Sequence, residues 1–149
     1  MIYIHYAVAV VLIAASFYDM ARGRIPNWLA LILPVLFLIA VLGVTAEGWL
    51  WQVLYAVAVF VLGFGLFLTG GFGAGAVKLM TGTALFLPPS DWLWHLGILF
   101  AGTILSLIVF GLARSFIGRD DHGWTVLSKR VIPMAVPVAI TGIAGFFLI

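Results

Sequence analysis

Gly70-Gly71-Phe72-Gly73-Ala74-Gly75-Ala76-Val77-Lys78-Leu79-Met80 is the stretch on which the fold turns. It follows an apolar run at 49–69 and leads into a weaker one at about 76–88, which Pro88-Pro89 stops. Its glycines at 70, 71, 73 and 75 suit an irregular backbone that approaches a neighbouring segment closely. They suit small-residue packing between membrane helices equally well, and taken alone that is the ordinary explanation. Lys78 shifts the balance. A cation one turn into a membrane helix is costly and normally faces a cavity, finds a partner or snorkels to the interface. Whether 76–88 counts as a membrane segment also decides the topology of everything around it.

Composition sets the surroundings. Of the 149 residues 65% are hydrophobic and 8% charged, and the mean hydropathy is +1.28. Soluble domains carry about 25% charged residues, so the chain reads as an all-α integral membrane protein. Its length implies a single membrane-embedded domain over 1–149. The absence of cysteine excludes disulfides, thiolate metal sites and cysteine catalysis together. Residues 2–18 resemble a signal peptide in length, but no basic residue precedes them and no small-residue cleavage site follows. They read as a first span. There is no low-complexity tract or clear internal repeat.

Further strong candidates for spans lie at 28–45, 49–69, 92–113 and 131–149, each near the ~20 residues that cross the hydrocarbon core. Counting 76–88 as a sixth puts the connections at 19–27, 70–78 and 114–130 on one side. All seven basic residues (Arg22, Arg24, Lys78, Arg114, Arg119, Lys129, Arg130) belong to that set. The opposite connections, 46–48 and 89–91, hold only Glu47 and Asp91. The positive-inside rule then predicts six helices with both termini on the non-cytoplasmic side. Five spans would move residues 114–130 across and destroy the separation. A helix over 76–88 is about 20 Å long, short of the ~30 Å core. Its cytoplasmic end is therefore expected to start below the membrane surface or where the bilayer thins. Non-helical backbone at that depth must be buried in protein or line a watered cavity.

Chemistry-bearing residues are few. Asp19-Met20-Ala21-Arg22-Gly23-Arg24-Ile25-Pro26-Asn27 follows the first span. An acid at a helix C-terminus meets partial negative charge there, which favours its protonated form and suits proton sharing. The structural reading is an interfacial Asp19 paired with Arg22 or Arg24. His5, His95 and His122 show no metal-ligand spacing, and no serine or threonine sits in a nucleophile motif. Asp120 and Asp121, beside Arg119 and His122, read as solvated loop acids. Glu47 and Asp91 lie on the wrong side.

Two segments together resemble the type IV prepilin peptidases, membrane-embedded aspartic proteases. The frame at Gly73, Gly75 and Lys78 is similar to that family's G-x-G-D-x-K-L signature, with Ala76 where the aspartate belongs. Asp19, followed by Arg24 and by Ile25-Pro26-Asn27, matches the first catalytic aspartate and the I-P-N that trails it. Arg130-Val131-Ile132-Pro133-Met134-Ala135 resembles the basic–I-P segment that opens the family's last helix. The resemblance implies a bacterial inner-membrane, multi-pass endopeptidase that uses no cofactor or metal and engages no nucleic acid. Its expected partners are the bilayer and a prepilin with a basic leader, a glycine before the cut and an apolar helix. The paired-cysteine cytoplasmic region of the larger members has no counterpart, so the chain resembles the small peptidase-only type that serves Flp tight-adherence pili.

Two aspartates are needed by such chemistry. One carboxylate deprotonates water while its protonated partner donates to the scissile carbonyl, and the proton belongs to the pair. With Ala76 no pair exists, so this chain is expected to be inactive, engineered or natural. A non-enzymatic reading stays beside this one: an assembly partner or pseudoenzyme of a pilus secretion system. A transporter would distribute polar groups near midplane, whereas here they gather at the cytoplasmic ends.

Overall fold

The structure, a computed structural model, describes residues 2–43, 48–70, 72–117 and 132–147. Among these residues it is all helical, with six α-helices: α1 (Ile2–Arg22), α2 (Asn27–Gly43), α3 (Trp49–Leu68), α4 (Ala74–Ala84), α5 (Trp92–Ile117) and α6 (Ala135–Phe147). A single 3₁₀ turn, Pro89–Asp91, leads into α5. Three helices are long and apolar enough to cross a membrane (Tyr3–Arg22, Trp49–Leu68 and the Pro89–Phe116 stretch), while α2 and α6 are apolar but shorter.

Helix ends follow from local chemistry. α1 runs three residues past Asp19 and stops at Gly23, whose φ of 64° lets its N–H return to the Asp19 carbonyl at 2.8 Å. The first expected span, 2–18, is thus one turn longer as a helix. α3 closes through Thr69 and through Gly70, whose N–H bonds the Phe67 carbonyl at 2.9 Å. Gly73, extended at ψ 146°, then starts α4.

α4 is shorter than the sequence suggested. It begins at Ala74 and ends at Ala84, not at the expected 88. Pro88 lacks an N–H, and its ring would collide with the carbonyl four residues back, that of Ala84. The chain leaves the helix instead through i→i+3 bonds from Phe86 to Thr83 and Leu87 to Ala84. At 1.5 Å per residue α4 is only about 16 Å long.

This short helix is nevertheless central. Ala76, Val77, Leu79, Gly82, Thr83 and Ala84 are buried, and α4 packs on α2, α3 and α6. The core joins Val8, Leu12 and Ala15 of α1 with Leu29 and Leu33 of α2, Leu79 of α4, and Ala135, Val138 and Ala139 of α6. α3 leans on α4 and α5 on α6, and both turn large apolar side chains outward along their length. One close approach fixes the register of the inner helices. A Cβ at Gly142 would lie 2.6 Å from Leu12 Cδ1 and 2.8 Å from Thr83 Cγ2, so α1, α4 and α6 meet at one glycine.

Candidate functional site: an acid held at a three-helix junction

Asp19 lies in the last turn of α1 and is only 7% exposed. Its Oδ2 accepts a hydrogen bond from the N–H of Ala135, the first residue of α6, at 2.9 Å. The helix-end argument is thereby amended. The negative end of α1 disfavours a carboxylate at this position, but the positive start of α6 faces it and offsets that effect. The surface pairing with arginine does not form: among the described residues Asp19 makes no ion pair with Arg22 or Arg24. Arg22 instead lies over the Tyr18 ring, 5.2 Å from its centroid, and Arg24 is exposed.

Three residues before Asp19, on the same face of α1, Ser16 is buried too. Its Oγ lies 2.9 Å from the Leu12 carbonyl and 3.2 Å from that of Ala135. Ser16 was not singled out from the sequence, and Ala135 only as the end of the segment that resembles the opening of the family's last helix. Ser16 carried a faint signal as a polar residue in an apolar span, whereas a backbone N–H at Ala135 carries none.

The two quoted segments come together. A Cβ at Gly75 would stand 3.0 Å from Ile25 Cβ and 3.4 Å from its carbonyl oxygen, so the turn after Asp19 rests directly on the first turn of α4. Lys78 Nζ donates to Asn27 Oδ1 at 3.0 Å, which gives the cation a neutral partner rather than an acid. Pro26 separates α1 from α2, its carbonyl accepting the Leu29 N–H at 3.2 Å. Gly73 has nothing within 4 Å of where its Cβ would be, so close approach belongs to Gly75 and not to Gly73.

Ala76 is buried, 4% exposed, in the first turn of α4. Its level follows from the Gly142 junction. Leu12 to Asp19, Thr83 to Ala76 and Gly142 to Ala135 are each seven residues, almost two full turns and about 10 Å, toward the same end. Asp19 and Ala135 do meet at that level. On parallel axes the same count would bring residue 76 to that level on the third helix, on the face that contains Leu79 and Thr83.

Among the described residues no three His, Cys, Asp or Glu side chains group into a metal site. Glu47, Gly71, Arg119, Asp120, Asp121, His122, Lys129, Arg130 and Val131 lie outside the described residues. Asp91 sits in the 3₁₀ turn at the far end of α4. A separate apolar groove of about 570 Å³ runs between α3 and α5 over α4 and α6, lined by Leu62, Leu66, Met80, Leu99 and Thr103. Tyr55 and His95 also line it, with Tyr55 Oη 3.4 Å from His95 Nδ1. No carboxylate lines this groove, so it offers no acid chemistry of its own.

The sequence model of the type IV leader peptidase family matches residues 6–121. That range covers Asp19–Asn27 and Gly70–Lys78 but not the Ile132–Ala135 segment. No curated protein and no solved structure matches the chain.

Proposed function

The chain belongs to the type IV leader peptidase family, and from that premise we propose that it is a prepilin peptidase scaffold whose reaction centre is Asp19 with residue 76. The single observation carrying this reading is the meeting of two distant segments at one helix junction. Gly75 rests on Ile25 and Lys78 bonds Asn27, while Asp19 and Ala76 are both buried; the seven-residue register favours a common level for the last two. Family membership supports the peptidase class. The geometry supports the choice of positions.

In this reading a dyad would form between Asp19 and an aspartate at 76. The ionised member removes a proton from water and the protonated member donates to the scissile carbonyl. Ala76 supplies neither a proton nor a charge, so the chain as written binds without cutting. The substrate is a prepilin, of the Flp tight-adherence type, whose basic leader remains in the cytoplasm while its apolar helix lies in the bilayer. The protein is a multi-pass protein of the bacterial cytoplasmic membrane, with six membrane segments and both termini outside. Support comes from charge and aromatic placement. Arg22, Arg24 and Lys78 lie at the end of the bundle that holds Asp19, while Tyr3, Tyr6, Trp49, Trp51, Trp92 and Trp94 sit exposed at the helix starts of the other end.

Ala76 itself favours a second reading, a pseudoenzyme or assembly partner that retained the scaffold and lost the reaction. Co-expression of an Flp-type prepilin with the parent chain, the Ala76→Asp variant and Ala76→Asp/Asp19→Asn separates the two. Leader loss is expected only with Ala76→Asp, with Asp19→Asn lowering the rate by at least about 10⁴-fold. A folded Ala76→Asp protein that leaves several prepilins intact would move the assignment to the non-enzymatic role.

A further inference from the structure

The start of α6 has so far been only a neighbour of Asp19. An α-helix leaves its first N–H groups without partners inside the helix, and α6 has one of them met by a carboxylate 116 residues away in sequence. The same residue is held at its other end. Ser16 Oγ shares its one proton between the carbonyl of Leu12 at 2.9 Å and that of Ala135 at 3.2 Å, so α1 touches both polar groups of a single peptide residue, Asp19 taking the N–H and Ser16 lying against the C=O. Ala135 is fully buried, and Pro133 and Pro137 on either side of it are also among the most buried side chains. Their rings fix φ at two positions and leave this segment little freedom to drift.

The consequence falls on Asp19. A free aspartate rotates about two side-chain bonds, which a reaction centre tolerates poorly, since catalytic groups must be held within about 0.5 Å of their working geometry. Here Oδ2 is anchored and Oδ1 takes no hydrogen bond among the described residues. We propose that Ser16 and the Ala135 peptide are positioning groups for the reaction, fixing Oδ2 of Asp19 against the start of α6. This rests on the prepilin peptidase reading and extends it to a segment that the family match does not reach.

The test compares two variants in the Ala76→Asp background. Ala135→Pro removes the N–H of the first residue of α6. Ala135→Val adds similar bulk and keeps the donor. Turnover by the proline variant is expected about 100-fold below that of the valine variant, the scale of a misplaced catalytic group, with KM for the prepilin within threefold. Ser16→Ala should lower kcat and Ser16→Thr should recover most of it. Equal kcat for the proline and valine variants would overturn the proposal.

An activity-independent measurement guards against a variant that merely misfolds. In the parent chain, Asp19→Ala should speed amide hydrogen exchange at Ala135 by at least tenfold, read by NMR in micelles, while Thr141 two turns along stays protected. Unchanged exchange at Ala135 would also overturn the proposal. If Ala76→Asp cuts nothing although Asp19 still protects Ala135, the peptidase reading falls. The positioning role falls with it, and the contact is then a joint between helices.

Discussion

Lys78 and residue 76 stand two positions apart on α4, about 200° around its axis, and side chains at that spacing do not face each other. From the sequence this cation was expected to face a cavity, find a partner or snorkel. The structure gives it a partner, Asn27, on the exposed side of the helix. An aspartate restored at 76 is therefore expected to lean toward α1 and α6, away from the cation. Lys78→Met in the Ala76→Asp background should cost far less activity than Asp19→Asn. A double-mutant cycle between Lys78 and Asn27, followed by thermal denaturation, should return a coupling below about 1.5 kcal/mol, as befits one exposed hydrogen bond. A larger coupling would mean that the lysine belongs to the centre. At this scale the sequence was legible where identity carries the signal: Gly75 and Asn27 lie where the two segments meet, and Asp19 is buried against the start of α6. It was silent where the signal is a backbone group, since nothing in the letter at 135 announces a donor for an acid in the first helix.

Among the helices, α4 shows how local and long-range causes divide. Its existence and its shortness could be anticipated from the glycines before it and the prolines after it. Its true end at Ala84 depends on where the Pro88 ring reaches back, one turn before the proline itself. Its central position could not be read from polarity, because α4, with Lys78, Thr81 and Thr83 in eleven residues, is less apolar than the flanking helices and yet packs among the others. Register here is carried by missing side chains. Gly142→Ala drives a methyl into Leu12 and Thr83 and should destabilise the protein by about 1–3 kcal/mol. Gly111→Ala in α5 meets nothing within 4 Å and should be neutral or stabilising by up to about 1 kcal/mol. Thermal unfolding of both variants in detergent checks the contrast, and equal melting temperatures would count against the junction as the point where the three helices are set.

Taken whole, the molecule is an inner group of four helices, α1, α2, α4 and α6, with α3 and α5 on its flanks. The helical, membrane-type architecture was legible from composition alone. The division into inner and flanking helices was not, because apolarity does not sort them: of the inner helices α1 and α4 are less apolar than α3 and α5, while α2 and α6 are about as apolar. Orientation can be measured directly, since the chain has no cysteine of its own. A single cysteine at Ser90, in the turn before α5, should react with a membrane-impermeant maleimide in intact cells, and one at Ser115 near the other end of α5 should react only after lysis. The reverse pattern would invert the proposed topology.

The bond between Asp19 and Ala135 also has a meaning in time. A ribosome adding about 5–20 residues per second makes the acid roughly 6–23 s before it makes the amide that anchors it. Throughout that interval the carboxylate lacks the N–H that holds it in the finished fold. The joint between α1 and α6 is thus the late one: it closes only when α6 has been made, after the other described helices.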